Sequence, residues 1–223
     1  LQVLGKVLQA EGRKLSRNLM AMIVVEEETG GNGSLSLAID RELRQQSPGL
    51  PIVPIAGSIT DERRVAAVLA RHPTDVLFHA AAYKHVPLME ANVSVCLANN
   101  PVGTARLADQ AEQAGVKRFV MISSDKAVRP TSVMGASKRL AERTLQDRPA
   151  ATPAFMTVRF GNVLGSSGSV VPLFQQQIRA GGPITITSEK TTRFFMSIPE
   201  AVDLVLQAAT IGQLGRLGTG LGL

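Results

Sequence analysis

An acid, a base and two hydroxyl groups stand together where an apolar run of the sequence ends. The run covers residues 119–122, and Ser123, Ser124, Asp125 and Lys126 follow it. In an open α/β sheet, ligands bind beyond the carboxyl ends of the strands, which is where these side chains would lie. Because side chains alternate between the faces of a strand, Asp125 and Lys126 can reach one site only if the strand has already ended. A carboxyl group and an amine in opposite roles predict acid–base chemistry at this place.

A helical pattern follows this group. Met134 and Lys138 form a Met-x-x-x-Lys step at the start of the pattern, which covers residues 134–146. Pro130 disfavours regular structure just before it, so a turn should separate the strand from the helix.

An earlier predicted strand ends in small residues, and a polar loop follows it. Ala80, Ala81 and Ala82 would let a flat cofactor lie close to the backbone, or they allow a strand to pack tightly on a helix. Lys84 and His85 begin a loop that either holds a substrate or is simply solvated.

A glycine- and serine-rich loop between a predicted strand and a predicted helix is the second indication of a site. Asn162 begins it, and Gly165, Ser166, Ser167 and Gly168 follow. Backbone N–H groups and hydroxyls in such a loop can hold a diphosphate beside a helix N-terminus. The alternative is a flexible linker, which rarely lies between two apolar runs, so we favour the anion site.

An asparagine, an arginine and two histidines are further candidates for the site. Asn100 stands at a predicted helix start, where we expect it to cap the helix and order the nearby strand ends rather than to react. Arg193 could clamp a phosphate as a fork of donors, or lie on the surface beside core phenylalanines. His79 and His85 have no acidic or cysteine partners at ligand spacing, so we predict no metal site and interpret His79 as structural.

Composition excludes several classes of protein. The chain has 223 residues, 44% of them hydrophobic, and a net charge of +6. With 4% aromatics and no tryptophan it lacks the stacking platforms of single-stranded nucleic-acid binders, whereas a basic balance suits dinucleotides and nucleotide sugars. The lone Cys96 excludes an intrachain disulfide and favours a reducing, cytoplasmic setting. The longest apolar run, residues 19–25, is far shorter than the ~20 residues that a membrane helix needs.

From residue 35 onward, helical and strand patterns alternate, which predicts an α/β fold with a doubly wound parallel sheet over residues 35–211. Predicted helices cover residues 35–46, 60–71, 102–114, 134–146, 170–180 and 199–209, and predicted strands cover 51–56, 75–82, 116–123, 154–160 and 184–187. Residues 1–34 and 212–223 do not fit the pattern, and we interpret them as an atypical N-terminal segment and a loose tail.

In combination, these motifs resemble the nucleotide-sugar 4,6-dehydratases of the extended short-chain dehydrogenase/reductase superfamily. Within them, the chain is similar to the capsular-polysaccharide type that acts on UDP-N-acetylglucosamine. The matching stretches are His-Ala-Ala-Ala-Tyr-Lys-His-Val-Pro-Leu-Met-Glu at 79–90, Ile-Ser-Ser-Asp-Lys-Ala-Val at 122–128, Pro-Thr-Ser-Val-Met-Gly-Ala-Ser-Lys-Arg at 130–139, Arg-Phe-Gly-Asn-Val-Leu-Gly-Ser-Ser-Gly-Ser-Val at 159–170 and Arg-Phe-Phe-Met at 193–196. The resemblance implies a Rossmann-like fold, bound NAD or NADP, and a partial sugar-binding region on the C-terminal side.

The resemblance also implies a mechanism. Most of the superfamily uses Tyr-x-x-x-Lys, and Met134 here matches the subgroup that keeps the C5 configuration of the sugar. In those enzymes the cofactor takes a hydride from C4, water leaves across C5 and C6, and the hydride returns to C6. By analogy Lys126 removes the C5 proton, Asp125 protonates the departing 6-hydroxyl, Ser124 bonds the sugar and Lys138 holds the nicotinamide ribose. A free lysine is a poor base at neutral pH, so Asp125 should be protonated when Lys126 acts.

The implied site has three parts. The catalytic residues would be Ser124, Asp125, Lys126, Met134 and Lys138; the cofactor-binding residues Ala80, Ala81, Ala82, Asn100, Ser123 and Lys138; and the substrate-binding residues Lys84, His85, Asn162, Gly165, Ser166, Ser167, Gly168 and Arg193. The implied partner is a UDP-sugar, with no nucleic acid, and a homo-oligomer is compatible with this class.

The likeness weakens at the termini. The family begins with a strand and a Thr-Gly-x-Gly-Gly-x-Ile-Gly loop for the cofactor diphosphate, whereas residues 29–36 read Thr-Gly-Gly-Asn-Gly-Ser-Leu-Ser. Either the first βα unit is missing or the N-terminal reading frame has been lost, and we favour the second. Three hypotheses remain: an active dehydratase, a degenerate or truncated relative that keeps nucleotide-sugar binding without chemistry, and a nucleotide-sugar epimerase.

Overall fold

Three parallel strands, neighbours in chain order, form the central sheet of this computed structural model. β1 (Val76–His79) pairs with β2 (Arg118–Ser124), which pairs with β3 (Ala154–Phe160). Because the strands are parallel, their carboxyl ends lie at one edge of the sheet. The structure describes residues 53, 55–149, 153–164, 170–186, 188 and 192–211.

Helices connect these strands. The segment before β1 forms α1 (Glu62–Arg71), and the segment between β1 and β2 forms α2 (Val86–Ala91), α3 (Val93–Leu97), a π-helical turn (Ala98–Val102) and α4 (Gly103–Gln113). A 3₁₀ turn (Asp125–Ala127) and α5 (Val133–Gln146) join β2 to β3. Two short parallel strands, β4 (Asn162–Val163) and β5 (Phe195–Met196), are accompanied by α6 (Val170–Arg179) and α7 (Ile198–Ile211).

The alternating side chains of the strands build one core on each face of the sheet. The first core joins the sheet to α1, α4 and α5 and includes Leu77, Phe119, Met121, Val65, Leu69, Leu107, Ala108, Ala141 and Leu145. The second core joins the sheet to α7 and includes Val76, Phe78, Val120, Val158, Leu204, Val205 and Ala209. Helices on both faces of a parallel sheet confirm the predicted doubly wound α/β architecture.

The first strand is shorter than predicted, and the backbone that follows it is bound by the side chain of Asn100. The prediction extends to residue 82, whereas β1 ends at His79. Asn100 then binds the backbone of Tyr83: its Oδ1 accepts from Tyr83 N at 2.9 Å, and its Nδ2 donates to Tyr83 O at 3.1 Å. Asn100 therefore orders the loop after β1, as expected, while α4 begins without a side-chain cap.

The start of α1 also differs from the prediction. The predicted helix begins at residue 60, whereas Asp61 is the N-cap, and its carboxylate accepts from Arg64 N at 3.0 Å. A carboxylate suits this position because it binds an otherwise unpaired N–H group and faces the positive end of the helix dipole.

The strand predicted at 184–187 does not form over the described residues 184–186. Ile184 and Ile186 are exposed, so their apolar character is not used in a core. The strand that does form is β5, further along the chain. It pairs with β4, and Asn162 N donates to Phe194 O at 3.0 Å.

Some predictions fall outside the described residues. They concern the segment 1–34, the helix at 35–46, half of the strand at 51–56, the tail 212–223, and the loop residues Gly165, Ser166, Ser167 and Gly168. The described residues of that strand, 53, 55 and 56, are not in a strand. The question of a missing βα unit falls on the same N-terminal part. Within the described part of the chain, the helices are too short or too polar for any of them to cross a bilayer.

We expect Phe119→Ala to lower the free energy of unfolding by about 3–5 kcal/mol, because it deletes a buried aromatic ring and leaves a cavity. Phe119 is 0% exposed and contacts the rings of His79 and Phe155 at centroid distances of 5.7 and 5.4 Å. Urea unfolding measures the change. Phe194→Ala is the matched control, because Phe194 is 82% exposed. Equal losses in the two variants would contradict this assignment of the core.

Candidate active site

The acid and the base meet where β2 ends and the 3₁₀ turn begins. Ser124 is the last residue of β2 and the N-cap of the turn, and its Oγ accepts from Lys126 N at 3.2 Å. The same hydroxyl donates to Asp125 Oδ1 at 2.9 Å, and Lys126 Nζ donates to that oxygen at 3.1 Å. β2 has therefore ended before Asp125 and Lys126, which is what allows both side chains to reach one site.

Hydrogen bonds decide the charge of Asp125. Partial burial favours its neutral form, but the hydrogen bonds from Ser124 and Lys126 outweigh burial and hold the pKa of Asp125 below its ordinary value of 3.8. The pair is thus a carboxylate and an ammonium, with side chains 40% and 29% exposed. The expectation that Asp125 carries a proton when Lys126 acts therefore needs a proton to move from Lys126 to Asp125 beforehand.

Lys138 reaches the same sheet edge from α5. Ser132 caps this helix by accepting from Gly135 N at 3.1 Å, and Lys138 follows in the second turn. Lys138 is 8% exposed, and its Nζ donates to the carbonyl of Ile122 on β2 at 3.3 Å. Burial lowers the pKa of Lys138 from 10.5 to about 8, and the charge of Glu142 opposes this change.

Three ammonium groups gather at this edge. The charges of Lys84 and Lys126 both lower the pKa of Lys138, so each of them acts on this amine. Asp125 pairs with one of them, and the other nearby carboxylate, Glu142, is engaged by arginines. Lysine side chains thus lie near the carboxyl ends of the strands, where the ligands of open α/β sheets bind.

A buried carboxylate that sequence reasoning missed ties α5 to the sheet. Glu142 is 0% exposed and accepts hydrogen bonds from Ser123 Oγ at 2.6 Å, Arg139 Nη1 at 3.0 Å, Arg159 Nε at 2.7 Å and Arg159 Nη2. Burial acts to raise the pKa of Glu142, but these hydrogen bonds lower it below its usual range. The available sequence indication is spacing, because Glu142 follows Lys138 by four residues and so shares its helix face.

Ser123 is the next-to-last residue of β2, and its hydroxyl is directed into the protein. It is buried, and its hydroxyl donates to Glu142. The alternation of side chains along β2 accounts for this, since it turns Ser123 toward α5 and leaves Ser124 to the turn. The structure thus gives Ser123 a contact with the helix, whereas the sequence predicts one with a cofactor.

Met134 lies in a small core cluster. It is buried together with Met89 and Cys96, and Tyr83 packs against the same cluster. A thioether is a weak acceptor with no proton to exchange, so Met134 offers packing at this place and no acid–base function.

Asn100 lies beneath the site and links α5 to the loop after β1. Its Nδ2 donates to Ser137 Oγ at 2.8 Å, and that hydroxyl donates to Met134 O at 2.7 Å. Asn100 and Ser137 are both buried. Because the same amide holds Tyr83, this network fixes the loop relative to the helix that carries Lys138.

Small side chains follow β1 at the sheet edge. Ala81 is buried, and Ala80 and Ala82 are half-buried. Lys84 is exposed, and His85 stands at the N-cap of α2. Ala81 packs in the first core, as the alternative of tight packing expects, and an exposed lysine follows the alanines.

His79 is a neutral core residue, as interpreted. It is buried, and its Nε2 lies 2.8 Å from Thr104 Oγ1. Burial and the charge of Lys138 lower the pKa of His79 from 6.5 to about 3. Among the described residues, no three His, Cys, Asp or Glu side chains gather closely enough to hold a metal ion.

The second small sheet carries two more candidates. Asn162 is a half-buried residue of β4, and Arg193 is exposed in the segment that leads into β5. Gly161 allows these segments to approach, since a Cβ there would lie 2.7 Å from Phe194 O. The structure thus brings Asn162 close to the segment that holds Arg193.

Gly135 permits the close contact between α5 and the turn of the acid–base pair. A Cβ at this position would overlap Lys126 O and lie 3.2 Å from Lys126 C. These are backbone atoms, so a larger residue would have to displace the turn.

A family model described as polysaccharide biosynthesis protein matches residues 11–217. The capsular polysaccharide biosynthesis protein CapD of Staphylococcus aureus is 45% identical over 191 residues, which are 84% of this chain and 32% of that protein. A UDP-glucose 4-epimerase of Rickettsia rickettsii is 39% identical over 152 residues, which are 66% of this chain and 45% of that protein. The chain therefore spans less than half the length of these two relatives.

Two solved structures share the fold. The X-ray structure of Pen from Bacillus thuringiensis has a TM-score of 0.70 and 35% identity, and the likeness covers 78% of this chain and 55% of that chain. The structure of MoeE5 in complex with UDP-glucose and NAD has a TM-score of 0.67 and 25% identity, over 80% of this chain and 69% of that chain. These likenesses confirm the Rossmann-like fold of the short-chain dehydrogenase/reductase type.

We expect Gly135→Ala to lower the free energy of unfolding by about 1–3 kcal/mol, because the added methyl group overlaps backbone that cannot move without shifting the turn. Chemical unfolding measures the loss. Gly57→Ala is the matched control, since its Cβ would meet only the flexible side chain of Arg64, at 3.2 Å. A Gly135→Ala protein as stable as the control would show that the contact yields easily.

The ion pair should be visible in the pH dependence of stability. Because the folded-state pKa of Asp125 is lowered, the pair stabilises the protein above the unfolded-state pKa, and this contribution is lost as pH falls through the folded-state pKa. Lys126→Met should therefore remove up to about 1 kcal/mol near neutral pH, a small value because both groups are partly exposed, and nothing in strongly acidic solution.

Carbon-13 NMR of the Asp125 carboxyl group tests directly whether Lys126 lowers the pKa of Asp125. Its titration midpoint should rise in Lys126→Met and stay unchanged in Lys117→Met, whose lysine pairs with Asp75 at 2.8 Å. An unchanged midpoint in Lys126→Met would mean that the pair does not set the charge of Asp125.

Proposed function

The chain belongs to the polysaccharide biosynthesis protein family, and from this we propose that it is a nucleotide-sugar 4,6-dehydratase acting on UDP-N-acetylglucosamine with NAD or NADP. The observation that carries the proposal is the contact between Asp125 and Lys126 at a sheet edge that Lys138 also reaches. A dehydratase needs a base for one proton and an acid for the leaving hydroxyl, and this pair supplies both. The product would be a UDP-4-keto-6-deoxy sugar.

A proton shift within the pair prepares both residues. The ammonium of Lys126 faces the carboxylate of Asp125 across 3.1 Å. A substrate that covers the pair excludes water, and a less polar environment favours two neutral groups over two charges. A proton that moves from Lys126 Nζ to Asp125 Oδ1 leaves an amine beside a carboxylic acid.

The two neutral groups then have separate tasks. The amine of Lys126 takes the proton from C5 of the sugar, and the carboxylic acid of Asp125 gives its proton to the departing 6-hydroxyl, which leaves as water. Both residues return to their starting charges, so the pair is ready for another turnover. The hydroxyl of Ser124, which already donates to Asp125, would also bond the sugar.

The residues at the sheet edge fit a nicotinamide cofactor. Ala80, Ala81 and Ala82 carry nothing beyond Cβ where β1 has ended, so a flat ring and a ribose can approach the backbone. Among the described residues, the ammonium of Lys138 donates to Ile122 O, and its remaining N–H donors suit ribose hydroxyls. NAD or NADP bound there would accept a hydride from C4 of the sugar and return it to C6.

The remaining candidates would hold the nucleotide sugar. Arg193 offers a planar fork of donors that suits a diphosphate. Asn162 lies in the neighbouring strand, and the proposal extends to Gly165, Ser166, Ser167 and Gly168, which follow it in sequence. Lys84 and His85 would face the sugar from the loop after β1.

A nucleotide-sugar 4-epimerase is the second candidate. It is favoured by the 39% identity to the UDP-glucose 4-epimerase of Rickettsia rickettsii. An epimerase inverts C4 without removing the C5 proton or the 6-hydroxyl, so it gives Asp125 and Lys126 no comparable task. The acid–base pair is the reason to prefer the dehydratase.

We expect Lys126→Ala to lower the rate of formation of the 4-keto-6-deoxy product by at least about 100-fold, because the C5 proton then has no base. Binding of UDP-N-acetylglucosamine should change little, since Lys126 acts on a proton in transfer and not on the bound ground state. NMR of the product and isothermal titration of the substrate measure the two effects. Lys117→Ala, a lysine remote from the pair, is the control and should form product as the parent does.

The outcomes separate the candidates. Equal product from Lys126→Ala and the parent refutes the role of Lys126. A product inverted at C4 that keeps its 6-hydroxyl supports the epimerase. A parent that binds UDP-N-acetylglucosamine without converting it supports a non-catalytic relative, and fluorescence titration with NADH then shows whether cofactor binding is what is lacking.

A further inference from the structure

We propose that Glu142 and Arg159 form a positioning pair that fixes Lys138 at the sheet edge and keeps its ammonium group charged. The proposal rests on the proposed function in so far as Lys138 is expected to meet a nicotinamide cofactor. The contacts that support it involve only the protein. Glu142 acts through Lys138 and not on a substrate.

Adjacent residues of β2 hold residues one turn apart on α5. Lys138 Nζ donates to Ile122 O at 3.3 Å, and the hydroxyl of the next residue, Ser123, donates to Glu142 Oε1 at 2.6 Å. Lys138 and Glu142 are four residues apart, so they share one face of the helix. A shift of α5 that loosens one of these bonds must therefore strain the other.

Arg159 holds the same carboxylate from a third element. It lies on β3 opposite Ser123 in the strand register and donates from Nε and Nη2 to the two oxygens of Glu142. Two bonds from a planar guanidinium fix the orientation of a carboxylate as well as its position. Arg139 adds a bond from α5 itself, so β2, β3 and α5 all bind Glu142.

The charge of Lys138 depends on this carboxylate. Among the described residues, the titratable groups that interact electrostatically with Lys138 are Glu142 on α5, Cys96 on α3, Lys84 in the loop after β1, Lys126 in the 3₁₀ turn, and His79 on β1. Burial, Lys84 and Lys126 favour the neutral amine, whereas Glu142 is the strongest influence that favours the ammonium. Without Glu142, Lys138 should lose its proton at a lower pH.

The test is the titration of Lys138 in variants of the pair. Carbon-13 NMR of lysine-labelled protein follows the Cε resonance of Lys138, which is assigned by its absence in Lys138→Arg. In Glu142→Gln the midpoint should fall by about one pH unit, a tenfold weaker hold on the proton. The affinity for NADH should fall correspondingly near pH 8 and recover toward neutral pH.

A second variant keeps the test decisive if Glu142→Gln does not fold. The double variant Glu142→Leu/Arg159→Met replaces the ion pair by apolar side chains of similar size, a change that buried ion pairs often tolerate. It should show the same fall in the midpoint of Lys138. Glu142→Asp, which keeps the charge, should return the midpoint toward that of the parent.

The matched control removes a carboxylate from another arginine. Glu112 pairs with Arg148 at 3.0 Å, apart from the groups that face Lys138, and Glu112→Gln should leave the midpoint of Lys138 unchanged. An unchanged midpoint in Glu142→Gln and in the double variant, or an equal fall in Glu112→Gln, overturns the proposal and leaves Glu142 a structural residue. The NMR result does not need turnover, so a parent without dehydratase product refutes the proposed function alone.

Discussion

A buried carboxylate sets the position of α5, and with it the geometry of the site. An ionised group away from water destabilises a protein unless it is paired and hydrogen-bonded. Glu142 meets this condition through its hydrogen bonds with Ser123, Arg139 and Arg159. Two of these partners lie on strands, so the bonds fix the position of α5 along the sheet. Lys138 lies one turn earlier, so this register brings its ammonium to the carbonyl of Ile122.

The molecule separates the residues that orient from those that react. Asn100, Ser137 and Glu142 are buried and have their hydrogen-bond partners inside the protein. Asp125 and Lys126 are partly exposed at the end of β2, where a ligand can reach them. Rigid elements beneath an accessible edge suit a site whose acid and base must keep one distance while protons move between them.

Family membership and chemistry rest on different residues. Relatives of this chain include a capsular polysaccharide biosynthesis protein and a UDP-glucose 4-epimerase, so the shared fold is compatible with more than one reaction. The acid beside a base after β2 is what favours dehydration, because removal of water needs both groups at once. Their ionised pairing explains why this site would require a substrate to cover the pair before the chemistry can begin.

Local sequence patterns were sufficient for much of the fold and for the central pair. The predicted strand at 154–160 has the bounds of β3, and the predicted helix at 134–146 differs from α5 by one residue. Asp125 and Lys126 could be placed at a strand end because an apolar run, polar residues and Pro130 are neighbours in the chain. Periodicity and turn chemistry act over a few residues, so they can be identified without tertiary contacts.

The supporting network depended on contacts between distant parts of the chain. Glu142 binds Ser123 and Arg159, which are 19 and 17 residues away in sequence, and Asn100 binds Ser137, 37 residues away. No local pattern contains such pairs, and therefore Glu142 was missed and Ser123 was expected at the cofactor. The charge of Asp125 and the lowered pKa of Lys138 likewise follow from burial and neighbours, which exist only once the strands and helices have packed.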